Sequence, residues 1–169
     1  ADTLHRSNLL DVQRYALGQG LYKMHLSLVD NGNPSDTISS LAEIEIDFPE
    51  KQMEFSDIEL LQSYEKGGEG NMVKNGYTLT PYVFNYYPEG ESQLKFYTEL
   101  YHSQTVLGTQ PFLINYFIRP FEVDKKLDEY FGMKKNNPDP VKVVMSSFDI
   151  SDLPSGNYLL VVEARDKSN

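Results

Sequence analysis

Three histidines, His5, His25 and His102, are the side chains best able to move a proton near neutral pH or to hold a zinc ion. They stand far apart, with no H-x-x-x-H or H-x-H spacing, so solvated histidines are expected rather than a metal site. The chain has no Cys, which removes thiolate ligands, disulfides and cysteine nucleophiles together. Asp30, Asn31, Asn33 and Asp36 offer the hard oxygens that calcium takes, but their spacing departs from the EF-hand loop. The same residue types build turns, and a turn is the expectation there. Glu43, Glu45 and Asp47 recur at every second position, which reads as a solvated acidic strand face that also discourages edge pairing. These carboxylates, or Glu99 and Glu122, would serve glycoside hydrolysis only at a separation of about 5 to 9 Å, a three-dimensional quantity. Gly67-Gly68-Glu69-Gly70 lacks the Lys-Ser/Thr of a phosphate loop and reads as a flexible loop. With no nucleophile and base constellation, no enzyme activity, metal or cofactor is expected.

One stretch could bind without catalysing. In Tyr82-Val83-Phe84-Asn85-Tyr86-Tyr87, exposed Tyr rings would give a sugar or a partner chain wide contact at low entropic cost. If a strand continues through it, Tyr82, Phe84 and Tyr86 share one face and Tyr87 takes the other. Tyr82, Tyr86 and Tyr87 are therefore the candidate binding surface, weighed against plain core and edge packing.

The elements that position these residues read as strands. The chain has 169 residues with 12 Tyr and 9 Phe, enough for one domain or one plus part of another, and rich in strand-favouring aromatics. A formal charge of −10 repels phosphate backbones and anionic membranes, so no nucleic-acid partner is expected. No apolar run reaches the roughly 20 residues of a membrane helix. Ala1 to Arg6 carry no signal pattern, which places any export signal outside this chain.

In order, a short strand or helical turn is expected at Leu9-Leu10-Asp11-Val12, then a strand over 21–29 with Tyr22, Met24, Leu26 and Leu28 on a buried face. A turn over Asp30 to Asp36 leads into a strand over 38–48, and the two runs form a hairpin. A boundary is expected near Pro49. Beyond it, strands are expected over 55–61, over 72–74 and 77–84 around an Asn75-Gly76 turn, over 93–101 half-buried, over 112–118 covered on both faces, over 141–148 and over 158–166. Pro81 argues for an edge position, Pro88 to Ser92 for a reversal, and 124–135 for a short helix or a loop.

Gly20-Leu21-Tyr22 leading to Asp30 is echoed by Gly156-Asn157-Tyr158 leading to Asp166, with Gly two residues before Tyr and Asp eight after it in both. If the copies are equivalent, residues 1–50 are the closing hairpin of a first β-sandwich and 51–169 a second one without its last strand. The order Ser56-Asp57-Ile58-Glu59-Leu60, Val73-Lys74-Asn75-Gly76, Leu94 to Tyr101, Leu153-Pro154-Ser155-Gly156-Asn157-Tyr158 and Val162-Glu163-Ala164-Arg165-Asp166 resembles the tandem immunoglobulin-like region preceding the GWxTD domain in exported, Bacteroidetes-type bacterial proteins. The chain has no Trp, so nothing tied to the GWxTD motif itself carries over. The resemblance implies an export setting, periplasmic or cell-surface, and an accessory role without catalytic residues.

The expectation is thus an all-β chain: an immunoglobulin-like β-sandwich preceded by a hairpin from another. Its expected function is a non-catalytic spacer or protein-interaction module of a larger exported protein. The alternative is a carbohydrate-binding module or accessory domain of a glycan-processing enzyme. An unpaired strand near Tyr158 to Asp166 would offer an edge to a protein partner or to a second copy.

Overall fold

The computed structural model describes residues 10–49 and 51–166 and is all-β, with antiparallel sheets and little helix. The chain divides into two compact units, residues 1–49 and 50–169, each described by itself.

The first unit is a hairpin of β1 (Gly20–Asp30) and β2 (Asn33–Ile46). The reversal is tighter than the composition of 30–36 suggests. Asn31-Gly32 forms the turn, the Asp30 carboxylate accepts the Gly32 N–H at 2.8 Å, and Pro34-Ser35-Asp36 fall in a register shift before Thr37 pairs with Val29. Pro34 is tolerated in β2 because a bulge asks it for no ladder bond. Tyr22, Ala42, Ile44, Ile46 and Phe48 are half-buried on one face. The rest of that face departs from expectation: Met24, Leu26, Leu28 and Ile38 are exposed, Leu28 at 65%. A two-stranded ribbon has no second layer to cover it. No strand forms over 10–18, and Leu9 and His5 lie outside the described residues.

The second unit is a β-sandwich. Its larger sheet runs β10 (Val141–Asp149), β7 (Gln93–Tyr101), β4 (Glu59–Lys66), β6 (Tyr77–Pro81), β5 (Val73–Lys74), with β3 (Glu54–Phe55) also against β7. Its smaller sheet runs β11 (Tyr158–Arg165), β8 (Phe112–Pro120), β9 (Phe131–Asn136). Phe96, Leu100, Val144 and Phe148 from one sheet meet Phe112, Ile114 and Ile118 from the other, and Tyr130 closes the same core. The strand order β3/β4–β7–β10 against β11–β8–β9 is that of immunoglobulin strands A–B–E against F–C–C′, with the β5–β6 hairpin inserted after A.

The echo between the two units is a tyrosine corner. The Tyr158 hydroxyl donates to the Pro154 carbonyl at 2.8 Å, and the Tyr22 hydroxyl to the Gly18 carbonyl at 2.9 Å, each four residues back at the start of its strand. The glycine two residues before the ring leaves it room, since a Cβ on Gly156 would stand 3.2 Å from Cε2 of Tyr158. A corner of this kind stands at the start of strand F in the immunoglobulin architecture, and β1 and β11 both carry it.

Several sequence expectations need correction. The single strand at 55–61 is two pieces, β3 and β4, because Ser56 interrupts pairing and ties itself to β7 through Ser56 N to Glu99 O at 2.8 Å and Glu99 N to Ser56 Oγ at 3.0 Å. The strand expected to Phe84 ends at Pro81, which can accept but not donate a ladder bond. β7 is buried over Phe96 to Leu100 rather than half-buried, because it is central and both faces are covered. β8 is central as well, with Phe112, Ile114 and Ile118 fully buried and the opposite face half-buried. The expected helix or loop at 124–135 is a 3₁₀ turn, Asp128–Tyr130, followed by β9, whose Gly132 and Lys residues hid the strand pattern. A short helix, α1 (Ser103–Leu107), follows β7.

Candidate functional site

The residues nominated for chemistry do not converge. His25 is exposed in β1 opposite Leu41, and His102 sits with φ 62° at the end of β7, entering α1. Glu43 and Glu45 lie on the solvated face of β2, where Lys23 Nζ approaches Glu43 at 3.7 Å, and Glu122 is exposed in the loop after β8. Among the described residues no group of three His, Asp or Glu side chains could hold a metal ion. In the glycine loop, the Thr78 hydroxyl donates to Gly67 O at 2.7 Å and the Gly67 N–H to Gly76 O at 2.8 Å, so the loop is tied to the β5–β6 turn.

Glu99 differs from the other carboxylates. It is buried at 4% exposure on the outer face of β7, between Tyr97 and Tyr101. Both phenol hydroxyls donate to its carboxylate. Asn75 Nδ2 donates to it at 2.7 Å, and Lys74 Nζ stands 3.2 Å away while also lying over the Tyr97 ring at 4.9 Å. Asn75 reaches this point because the Asn75-Gly76 turn holds both residues at positive φ, 47° and 79°. That turn folds the hairpin over a second small core of Leu61, Leu79 and Tyr97. Burial pushes the Glu99 carboxyl up, but hydrogen bonds from Tyr101 and Tyr97 and the Lys74 cation outweigh it and hold the group below its ordinary range. Burial, with the Glu99 hydrogen bond, raises both tyrosines. An ionised carboxylate held by these partners fastens the β5–β6 hairpin to the sheet. Its signature, Tyr-x-Glu-x-Tyr on one strand face, is visible in the sequence but reads there as a solvated face.

Tyr82, Tyr86 and Tyr87 lie after β6 in irregular backbone, so the strand-face argument for them fails. Tyr82 and Tyr87 are half-buried and stacked on each other at 4.5 Å and 8°, and the Tyr82 hydroxyl donates to Tyr86 O at 2.8 Å. Only Phe84 and Tyr86 present open rings, at 50% and 61% exposure, tilted by 55°. The Tyr87 hydroxyl is buried without a hydrogen-bond partner, and burial, then Tyr82 and Glu91, push it up to about 12.

The remaining site is an edge. Among the described residues β11 pairs only with β8. Phe121 N donates to Asn157 O at 2.9 Å, which sets the ladder's phase: odd-numbered residues of β11 exchange bonds with β8. Leu160, Val162 and Ala164 therefore turn N–H and C=O to the open side. Beside that edge lies an open groove of about 560 Å³ lined by Met53, Phe55, Leu100, Val162 and Ala164 together with the charged Glu163 and Arg165.

The chain matches no protein-family model, no curated protein and no solved structure. Function is accordingly argued from the geometry.

Proposed function

We propose that this chain is a non-catalytic spacer and protein-interaction module of a larger exported bacterial protein, working in the periplasm or at the cell surface. The observation that carries this reading is the pair of tyrosine corners, Tyr22 to Gly18 and Tyr158 to Pro154, which repeat one immunoglobulin strand in two units of a single chain. Serial immunoglobulin units project surfaces and join partners through exposed edges and loops. The most organised polar cluster, around Glu99, is spent on holding the β5–β6 hairpin, which supports a structural economy over a catalytic one. The likeness to the region preceding GWxTD domains points the same way.

The test is made in the source bacterium with a photo-crosslinking side chain at the exposed Arg165. Protease access in the intact envelope together with discrete protein adducts is the expected result. A chain confined to the cytoplasm refutes the setting, and an accessible chain without adducts there or at Tyr86 refutes the interaction role.

A glycan-binding reading draws on the exposed Phe84 and Tyr86. Their 55° tilt and the mutual stacking of Tyr82 and Tyr87 leave no flat shelf for a sugar ring, which weighs against it. Tyr86→Ser with Tyr87→Ser on a glycan array decides it, because binding that the substitutions abolish would overturn the protein-only reading.

A further inference from the structure

We propose that Asn31 is a site of spontaneous covalent modification, losing its side-chain ammonia to become aspartate and isoaspartate, and that the network around Glu99 protects Asn75 from the same reaction.

The chemistry begins with the residue that follows each asparagine. An asparagine closes a five-membered succinimide when the next residue's backbone nitrogen attacks its side-chain carbonyl carbon, and glycine, without a Cβ, hinders this least. Asn31 and Asn75 are the two asparagines of the chain that precede glycine. Asn33 and Asn137 precede Pro34 and Pro138, which have no N–H to give up. At Asn31, solvent base takes the Gly32 amide proton and the Gly32 nitrogen bonds to the Asn31 Cγ. The Cγ–Nδ2 bond then breaks, and Nδ2 takes a proton from water and leaves as ammonia. Water next opens the ring. Opening at Cγ restores the backbone and leaves aspartate, whereas opening at the backbone carbonyl routes the chain through the side chain and leaves isoaspartate. Water is the sole co-reactant, and nothing is oxidised or reduced.

The structure separates the two asparagines. Asn31 is exposed at the tip of the β1–β2 hairpin, and among the described residues no hydrogen bond holds its carboxamide. The Gly32 N–H is held there by the Asp30 carboxylate at 2.8 Å, on an exposed turn where water competes for both groups. Neither Asn31 nor Gly32 is fixed at positive φ.

Asn75 has the same following residue in a different setting. Its Nδ2, the group that must leave, donates to the Glu99 carboxylate and to the Tyr97 hydroxyl, both at 2.7 Å. Those bonds hold the carboxamide over β7, and positive φ at Asn75 and Gly76 fixes the turn beneath it. Attack by the Gly76 nitrogen requires both hydrogen bonds to break, one of them to an ionised carboxylate.

The product changes the first hairpin. Each event adds a carboxylate between Asp30 and Asp36, and isoaspartate lengthens the backbone by a methylene beside the Asp30–Asn33 pair. The tip of β1–β2 therefore gains negative charge as the chain ages.

The test incubates the full chain at physiological temperature and pH and follows both sites by mass-spectrometric peptide mapping, with synthetic aspartate and isoaspartate peptides as standards. Asn31 is expected to convert at least about tenfold faster than Asn75 and to give both products. Gly32→Ala places a Cβ 3.4 Å from Asp30 Oδ1, an ordinary contact, so it fits the turn. It is expected to slow Asn31 by more than about threefold and leave Asn75 unchanged. Glu99→Gln is expected to quicken Asn75 by more than about threefold and leave Asn31 unchanged. Near-UV circular dichroism establishes that this variant is folded during the comparison, and the parent's ratio of rates tests the site without any substitution. Comparable rates at the two sites in the parent, or aspartate without isoaspartate at position 31, overturn the modification site. An unchanged rate at Asn75 in folded Glu99→Gln overturns the protection.

Discussion

Replacing Glu99 by Gln separates the charge of the buried network from its shape. The carboxylate accepts from the Tyr97 and Tyr101 hydroxyls and from Asn75 Nδ2 at 2.7 Å, and faces Lys74 Nζ at 3.2 Å. A hydrogen bond to a charged group contributes about 1.5–3 kcal/mol and a neutral one about 0.5–1.5, so each of these bonds weakens by about 1 kcal/mol on loss of the charge. Lys74 is a third exposed, and its pair contributes under about 1 kcal/mol after solvent screening. Rotation of the phenol hydroxyls recovers part of the total, which leaves an expected loss of about 2–3 kcal/mol near neutral pH. The folded-state pKa of Glu99 lies below its ordinary value, so its stabilisation is complete above the ordinary carboxylate range and is lost as pH falls through the folded pKa. The difference between parent and Glu99→Gln should therefore be constant from neutral pH down to about 5 and close at lower pH, once the carboxyl is protonated. Urea unfolding followed by near-UV circular dichroism of the tyrosines measures it. Other carboxylates titrate in both proteins and cancel in the difference. A gap below about 0.5 kcal/mol at neutral pH, or one that persists unchanged in acid, would show that the charge does not hold the hairpin.

Tyr158→Phe deletes the corner hydrogen bond to Pro154 O and nothing else, and is expected to cost about 1 kcal/mol in the same assay; no change in the unfolding midpoint would deny the corner an energetic role. Gly132→Ala places a Cβ 2.1 Å from Cε2 of Tyr116, whose ring lies against Phe96 and Phe148, so repacking should cost about 1–3 kcal/mol, and an unchanged midpoint would mean that the ring moves freely. Tyr87→Phe removes a buried hydroxyl without a partner and should leave stability unchanged or raise it by about 1 kcal/mol; a loss of that size would reveal a bound water at the hydroxyl.

The strands legible in the sequence carry either alternation or a dense apolar run. β1, β2 and β7 set apolar residues against polar ones, β10 and β11 are apolar-rich runs bounded by turn residues, and the Asn75-Gly76 turn follows from the positive φ that both residues accept. β9 was hidden because Phe131-Gly132-Met133-Lys134-Lys135-Asn136 has a glycine where Tyr116 lies across the strand and lysines where an edge needs guarding. Both features come from tertiary neighbours, to which a local pattern is blind. The burial of Glu99 was hidden for a related reason. Its cover comes from Lys74 and Asn75, 24 residues away from it in the case of Asn75, and only the folded hairpin brings them over β7. The aromatic run at 82–87 failed in the opposite direction: the alternation was extrapolated past Pro81, where pairing stops.

The candidate site was legible as a position before it was legible as a surface. The spacing of Gly, Tyr and Asp marks two strands that begin alike, but spacing alone does not show that the Tyr hydroxyl turns back onto the chain, nor which backbone atoms face outward. The ladder phase supplies both the donors and the direction. Bonds to β8 occupy the odd residues of β11, so the even residues present edge atoms and inward side chains at the same positions.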